Sequence, residues 1–191
     1  MTDERPIDPR VAHTRRLVLE AAASLLAEEG FDRLTLEELA ERSGVARSTI
    51  YRNWDDRSEL FADAFELLCS FPEIPDLGSM RDELRLLADE LAGSLQSSEW
   101  AKALPSMIGA AHRDDVLGAA QARFSEMRRE MTSAIFRRAV ERGELGRTHD
   151  LHELAELFAA PLFFRFLMSH QPLDEGFLAR HVDRLVALAA S

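Results

Sequence analysis

Arg47, Ser48, Thr49, Tyr51, Arg52 and Asn53 crowd into one short run, Val45-Ala46-Arg47-Ser48-Thr49-Ile50-Tyr51-Arg52-Asn53-Trp54. Their guanidinium, hydroxyl and amide groups hydrogen-bond to phosphate oxygens and base edges, and no carboxylate lies between Val45 and Asn53. The chemistry that set suits is recognition of nucleic acid, with no bond made or broken, or simple solvation of a helix face. The other reactive-looking groupings are weaker. His149, Asp150, His152 and Glu153 bring metal-ligand types together, but histidines three residues apart at a helix start usually cap the helix or face water. There is no Gly-rich phosphate loop, no Gly-x-Ser-x-Gly elbow and no Cys–His pair in a catalytic context. Neither enzymatic activity nor a cofactor or metal is expected. The single Cys69 excludes an internal disulfide and, following Leu67 and Leu68, reads as a buried, inert thiol.

The elements that must hold the polar run can be read on either side of it. Thr35 and Glu38 form a Thr-x-x-Glu capping box, so a helix starts near Leu36. Leu36, Leu39 and Ala40 give that helix one apolar face, and Glu37, Glu41 and Arg42 stay wet. Gly44 ends it, because glycine enters the left-handed conformation without a Cβ clash. Val45, Ile50 and Trp54 then point inward and turn the polar residues out. Two short helices bent at a glycine form a helix-turn-helix, a pattern also met inside ordinary helical bundles. Upstream, Leu17, Val18, Ala21, Ala22, Leu25 and Leu26 share one face of a first helix that stops at Gly30, after which Phe31 and Leu34 pack the turn. Downstream, Asp56 with Glu59 caps a fourth helix carrying Leu60, Phe61, Ala64, Phe65 and Leu68. Phe71-Pro72-Glu73-Ile74-Pro75-Asp76-Leu77-Gly78 cannot continue it.

From about Thr14 to Phe65 the chain resembles the DNA-binding domain of the TetR family of transcriptional regulators. The resemblance rests on a first helix ending in Glu-Glu-Gly-Phe, on Thr-Leu-Glu-Glu-Leu-Ala, on a Gly-Val turn, on Ser-Thr-Ile-Tyr-Arg-Asn-Trp and on Arg-Ser-Glu-Leu-Phe, in that order. It implies that Thr35 and Tyr51 bond phosphates and that Arg47, Ser48 and Thr49 meet the major groove. Arg57 stands where the family often has a lysine, which implies a phosphate clamp with a planar fork in place of a point charge. Three positions depart from the family. Asn53 replaces the usual histidine and alters a phosphate or base contact, Trp54 replaces phenylalanine as a larger core plug, and Ala46 leaves the recognition helix without a side-chain N-cap.

The 191-residue chain is 46% hydrophobic with a formal net charge of −11. Strand signals are almost absent, and we read the fold as all-α: a three-helix helix-turn-helix domain joined to a C-terminal helical bundle for ligand binding and dimerisation. The expected division is a flexible arm at 1–13, a DNA-binding domain at 14–60 and a helical ligand-binding and dimerisation domain at 61–191. The acidic balance repels DNA at long range, so binding must rest on a local patch, for which Arg10, Arg15, Arg16, Arg47, Arg52 and Arg57 are the candidates. No signal peptide or ~20-residue apolar span is found, so a cytoplasmic protein with no membrane partner is expected.

In the bundle, Met80, Leu84, Leu87, Leu91 and Leu95 share a stripe. A helix after Ser98, interrupted or kinked at Pro105, precedes a long one from about Asp115 to Arg142 that stops at Gly143. Asp150 and Glu153 cap a helix from Leu151 to about Ser169, and Asp174 opens the last. Residues 159–167 and 172–174 resemble the C-terminal domain of one branch of the TetR family, which implies a small apolar effector between the middle helices and a homodimer through the last two. Leu91, Trp100, Met107, Phe124, Met127 and Met131 are the candidate pocket residues, although their spacing equally suits plain core. The helix at 151–169 is apolar on more than one side and needs two partners, and Phe158, Leu162, Phe166, Val182 and Leu185 are the candidate dimer contacts. A symmetric dimer places two recognition helices about one DNA turn (~34 Å) or a multiple apart on a palindromic double-stranded operator, the simplest role being that of a repressor. The alternative is a helical ligand-binding or scaffolding protein whose helix-turn-helix is silent toward DNA.

Overall fold

Proline lacks the N–H that a first helical turn leaves unpaired, so Pro9 suits the start of the first helix, α1 (Pro9–Glu29). The computed structural model describes residues 9–31, 35–68 and 74–189. Leu34, Cys69, Phe71, Pro72 and most of the expected arm lie outside the described residues, as do the side chains of Arg10, Phe65, Leu68 and Trp100. Residues 9–13, read from sequence as part of the arm, belong to α1. Glycine at position 30 closes the helix with φ 74°.

Thr35 then opens α2 (Leu36–Ser43) with the expected capping box: its hydroxyl accepts the Glu38 N–H at 3.2 Å, and the Glu38 carboxylate accepts the Thr35 N–H at 3.4 Å. Gly44, at φ 68°, turns the chain into α3 (Arg47–Asn53). Asp56 accepts the Glu59 N–H at 3.0 Å ahead of α4 (Arg57–Leu68). These elements and α6 (Glu99–Ala111) form one compact unit, residues 1–70 with 99–122. Within it α1 packs against α2, α4 and α6. Val18, Ala22, Leu26, Leu39, Ile50, Trp54, Leu60, Phe61 and Met107 are buried there. The helix α6 continues through Pro105, where the sequence suggests an interruption or kink.

The second unit, residues 71–98 with 123–191, holds α5 (Met80–Ser97), the greater part of α7 (Asp115–Arg142), α8 (Leu151–Phe164) and α9 (Glu175–Ala189). The Met80, Leu84, Leu87, Leu91 and Leu95 stripe of α5 is buried, and α5 packs against α9. Glu83 is fully buried between Arg138 and Arg142 of α7, which compensate its charge; Arg138 also donates to the Ile74 carbonyl at 3.3 Å. Asp150 accepts the His152 and Glu153 N–H groups and so caps α8. The expected regular helix at 151–169 ends instead in a π-helical turn, Arg165–Ser169. Pro161 has no N–H to return to the preceding turn, and beyond it the ladder widens until the His170 N–H reaches the Arg165 carbonyl. Among the described residues there is no strand, and no helix is long and apolar enough to cross a membrane.

Candidate nucleic-acid interface

The polar run is shaped by what it buries. Ile50 and Trp54 are 2% and 4% exposed and anchor α3 in the core of its unit. The Trp54 indole N–H also donates to Asp63 at 2.7 Å, so the larger ring finds a partner for its polar edge. With that face fixed, Arg47, Ser48, Tyr51 and Arg52 are exposed, and Thr49 and Asn53 are half-buried. Tyr51 is 57% exposed, which no packing requirement explains and which leaves its hydroxyl available to a ligand. Ala46 precedes α3 with no side-chain cap, as read from the sequence. The Asn53 side-chain amide donates to the Thr49 carbonyl at 2.7 Å and so satisfies the end of its own helix. Beside these residues lies a cleft of about 210 Å3, lined by Val11 and Thr14 of α1 and by Thr49, Arg52 and Asn53 of α3.

The cationic residues are more committed than their sequence positions suggest. Arg57 does not stand open as a phosphate clamp. Its guanidinium lies 4.4 Å from the Phe31 ring centroid and 5.6 Å from that of Phe61, and it donates to the Phe31 carbonyl. The planar fork that distinguishes arginine from lysine is used here to stack on aromatic rings. Arg15 pairs with Asp63 and lies 4.7 Å over the Trp54 ring. Arg16 pairs with Glu20 one helical turn on, at 3.4 Å. The Thr35 hydroxyl, expected at a phosphate, is engaged with Glu38 as acceptor and donor, each at 3.2 Å. Arg47 pairs across to Glu37 of α2 at 2.6 Å. The sequence placed Glu37 only on the wet face of α2; the turn at Gly44 is what carries its carboxylate to the first residue of α3.

The start of α4 is tied to the turn between α6 and α7 within the same unit. The Ser58 hydroxyl donates to Asp114 at 2.5 Å, and Asp114 also accepts the Val116 and Leu117 N–H groups at the start of α7. Those bonds, that from Ser58 foremost, hold the Asp114 carboxyl below its usual pKa. Gly30 approaches α6 so closely that a Cβ on it would lie 3.2 Å from the Ser106 Cβ.

The candidate pocket and dimer residues divide by burial. Leu91 and Phe124 are buried in the second unit and Met107 in the first, as core residues would be. Met131 is half-buried, and Met127 is 46% exposed. The dimer assignment needs correction. Phe158, Leu162, Val182 and Leu185 are buried inside their own unit, where α8 packs on α9, and Phe166 is half-buried. The apolar side chains that face outward on this helix pair and its π turn are Leu157, Phe164, Met168 and Leu188, at 43, 59, 69 and 48% exposure. Behind them His181 is buried, with Nε2 2.8 Å from the Phe158 carbonyl and its ring stacked on Phe177. Burial pushes its pKa down. The His149–Glu153 segment caps α8, and among the described residues no group of three or more His, Cys, Asp or Glu could hold a metal.

Comparison with known proteins bears on both units. Residues 18–64 match the family described as bacterial regulatory proteins, tetR family, and residues 74–185 match the tetracyclin repressor-like C-terminal domain. The HTH-type transcriptional regulator YdeS of Bacillus subtilis is 30% identical over 172 residues, 89% of this chain and 86% of that one. The DNA-binding transcriptional repressor TetR of Mycobacteroides abscessus is 30% identical over 169 residues, 87% and 88% of the two chains. Among solved structures, the TetR family transcription regulator SCO0332 matches with a TM-score of 0.72 at 28% identity, covering 92% of this chain and 97% of that one.

Proposed function

We propose, from the premise that the chain belongs to the TetR family of DNA-binding transcriptional regulators, that it is a ligand-responsive repressor that binds a palindromic operator as a homodimer. The observation that carries the reading is the two-sided α3: Ile50 and Trp54 are buried, while Arg47, Ser48, Tyr51 and Arg52 stand exposed with donors for base edges and phosphates. A single seven-residue helix reads too few base pairs for useful selectivity, and pairing two reading heads by symmetry multiplies the discrimination. Leu157, Phe164, Met168 and Leu188 supply the face for that pairing, since large apolar side chains exposed on a helix pair are stabilised by exclusion of water in an isologous contact. Repression then follows from occlusion of a promoter, and the relative from Mycobacteroides abscessus carries the word repressor in its name. With this role the protein works in the cytoplasm.

A small apolar effector would act by preferring a dimer whose reading heads are mis-spaced for the operator. The route to the reading head runs through α4, whose first turn is bonded to the α6–α7 turn by Ser58 and Asp114. The test of the reading is the double substitution of Arg47→Ala and Tyr51→Ala. A regulator loses operator binding and remains a folded dimer; a scaffold that is silent toward DNA is unaffected, and that result would overturn the proposal.

A further inference from the structure

A carboxylate on the DNA-facing side of a reading head is unfavourable unless it has a task, because it repels every nearby phosphate. On the DNA-binding reading, in which α3 meets the groove, its ion pair with Arg47 puts Glu37 in that position. It sits in the first turn of α2, beside the helix entrance at Thr35, and its Oε1 lies 2.6 Å from Nη1 of Arg47, the first residue of α3. The pair leaves both groups accessible: the Arg47 side chain is 54% exposed and that of Glu37 57%. Arginine carries five N–H donors in a rigid plane. With one nitrogen held by the carboxylate, an edge of the fork remains for an acceptor pair outside the protein.

Two consequences follow from this geometry. The carboxylate removes rotational freedom from the guanidinium, so the long side chain has less rotamer entropy left to lose when it meets a base. It also neutralises the cation, so the pair is a poor ligand for a phosphate but keeps its hydrogen-bonding directionality toward the O6 and N7 acceptors of guanine. We propose that Glu37 is a specificity-determining positioning residue, which holds Arg47 for a guanine edge in the major groove and away from the phosphate backbone. This rests on the DNA-binding reading above and adds to it the base class that Arg47 reads and the residue that imposes the choice.

The test is selection from a random duplex-DNA library with the full-length wild type, Glu37→Gln, Arg47→Ala and the double variant, followed by titration of each on the selected duplex and on an unrelated one across a salt series. Glutamine keeps the size of the side chain and one acceptor oxygen, and removes its charge. In Glu37→Gln the preference for guanine at the position that Arg47→Ala abolishes should fall about tenfold. Affinity for the unrelated duplex should rise and its log–log salt slope should steepen by about 0.9, the signature of one additional phosphate contact. In the Arg47→Ala background the same change should leave the base profile as it is. Glu37→Asp, which retains the charge, should recover part of the guanine preference. A role confined to the stability of α2 would move none of these base-resolved readouts. If the wild type selects a sequence and Glu37→Gln selects the same one with the same preference and slope, this inference is overturned while the DNA-binding reading stands. If the wild type selects nothing, both fall.

Discussion

Arg57 separates a role in the fold from a role at the ligand by direct measurement. Its guanidinium faces Phe31 at 4.4 Å and Phe61 at 5.6 Å and donates to the Phe31 carbonyl. A cation over a ring face in a partly buried site contributes about 0.5–2 kcal/mol, and a charged donor to a carbonyl about 1.5–3 kcal/mol. The more distant ring contributes at the low end, and the two effects overlap because one geometry serves both. We therefore expect Arg57→Ala to destabilise the protein by about 2–3 kcal/mol, and Arg57→Lys to recover under half of that, since an ammonium cannot stack as a plane. Urea unfolding followed by circular dichroism measures the first quantity. Titration of operator DNA across a salt series measures the second: a phosphate clamp contributes about 0.9 to the log–log slope, and the buried orientation predicts no change in slope for whatever folded protein remains. Unaltered stability together with a slope reduced by about one would instead put Arg57 on the DNA surface as a phosphate clamp.

Further outcomes follow from other parts of the structure. Ala46→Ser supplies the missing cap of α3 and should raise stability by about 1 kcal/mol; an unchanged or lower thermal midpoint would mean that the helix begins elsewhere. Gly44→Ala and Gly30→Ala both place a Cβ at positive φ, about 1–2 kcal/mol. Only Gly30 adds a 3.2 Å approach to Ser106, so its unfolding midpoint in urea should fall further than that of Gly44→Ala. Phe164→Glu should convert a dimer to a monomer in sedimentation velocity with little loss of helical signal, because that side chain is 59% exposed in the chain alone. A variant that stays dimeric would move the interface off this face. His181 has a folded pKa lowered by burial, so its neutral form stabilises the fold fully above the unfolded value near 6.5. That stability is lost as pH falls from about 6.5 toward the lower folded value, and His181→Gln should remove this part of the acid slope in urea midpoints measured between pH 7 and 5.

Local signals account for much of what the sequence made legible. The Thr35–Glu38 box, Gly44, Asp150 and Gly143 act within a few residues of where they stand, and each marks a helix boundary found in the structure. The TetR family assignment is equally visible, because its motifs lie in consecutive elements. What stayed hidden depends on neighbours distant in the chain. The fourth helix carries Arg57 toward Phe31, twenty-six residues earlier, and only the packed core decides whether a helix-start arginine turns in or out. Glu37 and Arg47 meet because the turn at Gly44 folds α2 onto α3. The helix α8 is apolar on more than one side, and its periodicity does not say which side meets α9. The repeat is equally consistent with Phe158 and Leu162 facing a second subunit, but they are buried within the chain and Leu157 and Phe164 are exposed. The widening of α8 after Pro161 alters the register that an ideal helical repeat assumes, which moves Met168 to the surface as well.

Sequence-specific recognition by a symmetric pair of reading heads can be measured by incubating purified, ligand-stripped wild-type protein with a random duplex-DNA library at low salt and sequencing what is retained. A symmetric pair of reading heads should enrich an inverted repeat whose half-sites are centred about one helical turn (~34 Å), or a multiple of it, apart. Retention of no preferred sequence by protein shown to be folded and dimeric would contradict it.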